Sequence, residues 1–178
     1  MRTTVRDVIA ALTAPAAGKP EPTVDGLLFG DPDAEVTGIV TAFMPSQRVL
    51  EEAHAAGANL VVAHEGPFFS HHASFAEHIE DDPVFLAKRT FILEAGLALY
   101  RLHDHIHQYS PDGIEDGLLE ALDWTRHAVR RLPAAAILER EETTVRTVAE
   151  ELKARLGLPA VRVAGNPDAP CRRIGLLV

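Results

Sequence analysis

Two stretches of the chain are apolar with almost no interruption, and each gives way abruptly to a polar cluster. Asn59-Leu60-Val61-Val62-Ala63 is followed by His64-Glu65, and Leu97-Ala98-Leu99-Tyr100-Arg101-Leu102 by His103-Asp104-His105-Ile106-His107. A short continuous apolar run fits a strand buried on both faces of a parallel sheet. Helical periodicity precedes each one. Val49, Leu50 and Ala53 share a face of a helix that Ser46 caps and Gly57 ends. Pro83 opens another through Glu94, with Phe85, Leu86, Ile92 and Leu93 as its apolar set and Gly96 as its stop. The pattern is helix-strand, repeated.

Upstream, Val5, Val8, Ile9 and Leu12 predict a helix starting at Thr3 or Thr4. A short strand bracketed by turns is expected within Asp25–Pro32, and a better one over Val36–Phe43. Downstream of Leu102, a helix is expected from Gly113 to Leu122. Strands then follow over Ala128–Leu132, Ala134–Glu139, Val161–Ala164 and Arg173–Val178, with an amphipathic helix over Thr144–Leu156. The fold class is therefore α/β, a layered helix-sheet-helix domain with a mixed sheet. We divide it into a core over residues 1–125 and an additional α/β segment over 126–178. The chain stops inside its last predicted strand, so we expect a piece of a longer protein, with a second half partial or missing.

Composition narrows the function. Hydrophobic residues make up 47% of the chain and charged residues 24%, as in an ordinary globular protein. No apolar run approaches the roughly 20 residues of a membrane-spanning helix. A single cysteine, Cys171, excludes an intramolecular disulfide framework and leads us to expect a cytoplasmic protein. The net charge of −9 argues against a nucleic-acid backbone binder, which needs concentrated positive charge. It leaves room for a small, even phosphorylated, molecule held by a few residues.

Nine histidines are present, eight of them between His54 and His107. Both polar clusters stand at the carboxyl ends of predicted strands, where open α/β sheets place their ligand crevices. In an extended stretch His103, His105 and His107 share a face; in a helical turn His103 and His107 do. Imidazoles with carboxylates suit Zn, Mn, Fe or Ni, one or two ions. The candidate metal ligands are His64, Glu65, His103, Asp104 and His107, with no catalytic residue assigned. His71 and His72 fall in a loop, His78 in an acidic stretch, and His54 on a solvent-facing helix side. No Gly-x-Ser-x-Gly elbow, phosphate-binding Gly-rich loop or His-Glu-x-x-His helix is present, so metal-activated water is the most economical chemistry.

Three segments resemble the NIF-three-like family, also described as dinuclear metal-centre hexameric proteins and as GTP cyclohydrolase I type 2-like. Asp25-Gly26-Leu27-Leu28-Phe29-Gly30 resembles its early Asp-Asn-x-Gly-Leu-x-x-Gly signature. Val49 to Pro67 resembles its helix-strand leading to a His-His-Pro motif. His103 to His107, with Asp112-Gly113 and the helix to Trp124, resembles its His-Thr-Asn-x-Asp segment. Glu65 stands where that pattern has a second histidine and His107 where it has an aspartate, a nearly reciprocal exchange. The family completes its site with a His and a Glu near the carboxyl end, and no histidine follows His127 here. The resemblance implies a homohexameric ring around a dinuclear centre. Our expectation is a metal-dependent hydrolase acting on a small, nucleotide-like or phosphorylated molecule. The alternative is a non-catalytic metal-binding regulatory protein or scaffold working through protein partners.

Overall fold

β3 (Leu60–Ala63) and β4 (Ala98–Arg101) are buried at every position, as their continuous apolar runs require. They lie side by side and parallel, in the register Leu60↔Ala98 through Ala63↔Arg101. β2 (Ile39–Ala42) adds to β3 in parallel, and β1 (Gly26–Phe29) closes the other side of β4 antiparallel. The result is a mixed sheet of order β1-β4-β3-β2. The computed structural model describes residues 2–18, 21–68 and 81–178; His71, His72 and His78 lie outside the described residues.

Alternation along the strands sorts two apolar clusters onto the two faces. Val61, Ala63 and Leu99 pack with Leu50 and Ala53 of α2 (Gln47–Ala55) and Ile92 of α3 (Pro83–Glu94). Leu60, Val62, Ala98 and Tyr100 pack with Val5, Val8, Ile9 and Leu12 of α1 (Val5–Thr13). Each fully buried Leu, Ile or Val contributes roughly 1.5–3 kcal/mol, so the sheet is held from both sides. The expected helix-sheet-helix layering is what this unit shows. The caps are those the sequence indicates: Thr4 accepts from the Asp7 N–H in a capping box, and Ser46 from the Val49 N–H. Gly30 is obligatory, since its φ is +93° and an added Cβ would come within 2.5 Å of Ala98 Cα.

Residues 1–106 form one compact unit and 107–178 a second. The division precedes the 125/126 boundary expected from sequence, because α5 (Gly113–Ala121) shares a core with the later strands. Leu119, Leu122 and Trp124 pack with Ala136 and Leu138, and with Val148, Leu152 and Leu156 of α6 (Val145–Arg155) and its flank. The second unit is an antiparallel meander, β5 (Ala128–Leu132), β6 (Ala135–Thr144) and β7 (Pro170–Leu177), in sequential order. Ala134, at φ +54°, turns β5 into β6.

One expected strand is absent. Val161–Ala164 pairs with no described strand, and Arg162, Val163 and Ala164 are exposed. A β-branched run needs a neighbour to pack and bond against before it becomes a strand.

Candidate metal centre

The register of β3 and β4 sets the site. With Ala63 opposite Arg101, both strands end at the same level, and the residues that follow emerge side by side. His64 leaves β3 9% exposed. Its ring stacks on His103 at 4.2 Å between centroids, 22° from parallel, and on Phe43 at 5.0 Å.

After Leu102 the chain enters a single helical turn, α4 (Asp104–His107). Asp25 builds that turn. Its side chain is 1% exposed and accepts the backbone N–H groups of His103 at 2.7 Å, Asp104 at 2.8 Å and His105 at 2.9 Å. Three orphan donors of a helix start are thereby satisfied. Asp25 can reach them because β1 runs antiparallel to β4, with Gly26 opposite Arg101.

Of the two geometries open for the histidine cluster, the helical one is realised. The division between the compact units falls after Ile106, inside α4, and His107 completes that turn. His64, His103 and His107 each offer a ligand nitrogen, all within 4.8 Å of one another. His105 points elsewhere, its Nδ1 2.7 Å from Asp25 Oδ2.

Carboxylates orient the other rings. His103 Nδ1 meets Asp104 Oδ1 at 3.1 Å, and His107 Nδ1 meets Asp112 Oδ2 at 2.7 Å. With Nδ1 so engaged, Nε2 is the nitrogen each ring presents to an ion. Asp112 also caps α5 through the N–H groups of Ile114 and Glu115. Burial alone would raise the Asp112 pKa, but the Glu115 N–H and His107 outweigh it and hold the carboxyl below its usual range. Asp104 behaves alike: burial opposes ionisation, and bonds from the Val24 N–H, Thr23 and His103 more than offset it.

The five residues marked in the sequence thus divide into three imidazoles that converge and two carboxylates that do not join them. Asp104 Oδ2 is turned to Thr23 Oγ1 and the Val24 N–H, both at 2.8 Å. Glu65 accepts from Arg101 Nη2 at 2.6 Å, while its Oε1 lies 3.8 Å from His103 Nε2. Arg101, its side chain 6% exposed, also donates from Nε to the His64 carbonyl at 3.3 Å.

Sequence reasoning missed Asp25, Arg101 and Asp112. The signals were a charged residue inside a buried strand run and aspartates just before a glycine; what each one reaches depends on sheet register. Three converging imidazoles, two of them held at Nδ1 by carboxylates, fit Zn or another nitrogen-seeking divalent ion.

The family model for Duf34/NIF3 (NGG1p interacting factor 3) matches residues 3–178. The chain belongs to the NIF3 family. The Streptomyces coelicolor GTP cyclohydrolase 1 type 2 homolog is 30% identical, over 96% of this chain and 63% of its own length. A Clostridium acetobutylicum protein of the same name is 23% identical and is covered over 55% of its length. The chain therefore spans about three fifths of the curated relatives it matches. Among solved structures, a Bacillus cereus protein related to NIF3 superposes with TM-score 0.78 at 16% identity, covering 99% of this chain and 76% of that one. That likeness shows the NIF3 fold. Among the described residues, no helix is long and apolar enough to cross a membrane.

Proposed function

We propose that this NIF3-family chain binds a divalent metal ion through His64, His103 and His107 and serves as a metal-dependent hydrolase on a small molecule. The observation that carries this reading is the convergence of three imidazole nitrogens within 4.8 Å at the ends of adjacent parallel strands. A divalent ion, when bound, supplies Lewis acidity and lowers the pKa of water toward about 7. The chain's own groups do the rest. Asp104 and Asp112 set the ring tautomers, and Arg101 fixes the Glu65 carboxylate beside His103. The GTP cyclohydrolase name belongs to the relatives, and that reaction is not part of the proposal. Homohexameric assembly in the cytoplasm is part of the proposal and rests on the family resemblance and the single cysteine.

The test is elemental analysis of the purified protein, followed by hydrolysis assays over a phosphoester and nucleotide panel with light scattering for assembly. The proposal expects a bound first-row metal and turnover that His64→Ala and His107→Ala abolish. Bound metal without turnover favours a metal-binding scaffold, and turnover indifferent to both substitutions contradicts the enzyme reading.

A further inference from the structure

A carboxylate directly after a metal-binding histidine is an obvious ligand, and Glu65 is one on sequence grounds. Its surroundings assign it differently. Oε2 is bound to Arg101 Nη2 at 2.6 Å, a charge-assisted bond, and the arginine behind it is almost wholly buried. That arginine is itself fixed at the last position of β4 and bonded to the His64 carbonyl. Exchanging the carboxylate for an ion would break this short charge-assisted bond to a nearly buried guanidinium, so the pair resists the exchange. Glu65 also stands outside the group formed by His64, His103 and His107. Yet it is close to that group, with Oε1 3.8 Å from His103 Nε2.

We infer that Glu65 is a hydrogen-bond acceptor beside the ion and outside its ligand set, positioned by Arg101, and that the ligand class it selects carries an N–H or O–H donor next to the metal-binding atom. An ionised carboxylate has only acceptor sites to offer, so it favours a donor there over an anionic oxygen. Water, an alcohol, an amide or a hydroxamic acid meets that requirement, whereas a fully ionised phosphate oxygen does not. The inference rests on the three histidines being ligands, and it departs from the expectation that Glu65 replaces one of the family's histidines in the coordination sphere.

The experiment uses the full chain loaded with Co(II), whose visible bands report the ligand set, and acetohydroxamic acid as the donor-bearing probe. Glu65→Gln is expected to keep the Co(II) affinity and band positions of the wild type while weakening acetohydroxamate by roughly tenfold or more. Arg101→Lys, which keeps the charge but not the planar geometry, is expected to give the same split with an unchanged ligand field. His64→Ala should instead lose Co(II) affinity, by more than about a hundredfold. Thermal melts of each variant confirm folding. Should Arg101→Lys melt early, the isosteric Glu65→Gln decides alone. Loss of Co(II) or shifted bands in Glu65→Gln overturns the inference, because Glu65 is then a ligand. Unaltered acetohydroxamate affinity overturns it as well. A wild-type chain that takes up no Co(II) fails at the histidines, a different and earlier point.

Discussion

Two polar clusters of the molecule use their buried groups in opposite ways. In residues 107–178, Glu151 accepts from Trp124 Nε1 at 2.7 Å and from Arg140 Nη2 at 2.8 Å, and the Arg140 guanidinium lies 4.8 Å above the Trp124 ring. Charge, donor and ring are spent on one another. Beyond the ends of β3 and β4, by contrast, Asp25 holds the start of α4, Asp104 holds the His103 ring and Arg101 the His64 carbonyl, and the imidazoles offer their nitrogens to one another's neighbourhood. One arrangement closes on itself and holds a core; the other is organised to receive something.

That contrast can be broken or sharpened by mutation. Trp124→Ala should cost the most, about 3–5 kcal/mol of stability, since the ring is 1% exposed in its core. Calorimetry with and without a chelator should give the same loss. His64→Ala should lower Zn(II) affinity by more than about a hundredfold in a competition titration. Its effect on the melting temperature should appear with metal and vanish with chelator, because a ligand stabilises only the state that binds it. Equal effects for the two variants under both conditions would erase the distinction between the two clusters.

Asp112→Asn comes next. It removes the carboxylate that orients His107, and the expected loss is about ten- to a hundredfold in metal affinity, typical of such outer partners. A melt in chelator will separate that loss from the weakened cap on α5.

Glu151→Gln is the smallest, on the order of 1 kcal/mol for a carboxylate that is partly exposed. Burial raises the Glu151 pKa, but Trp124 and Arg140 more than offset it and hold the carboxyl below its ordinary value of 4.5. A depressed carboxylate contributes stability above its unfolded pKa and loses it as pH falls through the folded one. The wild type should therefore lose this increment on acidification below 4.5, and Glu151→Gln should show a flatter acid limb in denaturant titrations. Identical limbs would remove Glu151 from the account.

Much of this was legible along the chain because it is local. The runs Leu60–Ala63 and Ala98–Arg101 read directly as strands buried on both faces, and Thr4 and Ser46 read as caps. The histidines stood out by spacing. What could not be read is what depends on register. Asp25 reaches the start of α4 only because β1 pairs antiparallel with β4, and Arg101 meets Glu65 only because Ala63 lies opposite it. The same limit explains Val161–Ala164, whose composition favours a strand that no described neighbour completes. It also explains why the partners of Glu65 and Asp104 could not be read: the chain shows which side chains are near in sequence, while the bonds to Arg101 and Thr23 join residues far apart along it.

The central claim, three imidazoles converging on one ion, is tested most directly by X-ray absorption spectroscopy of the zinc-loaded chain. The account predicts the outer-shell scattering of about three imidazoles around the metal, with nitrogen neighbours at roughly 2.0–2.1 Å. A spectrum with oxygen neighbours alone, or zinc that washes away without histidine scattering, would contradict it.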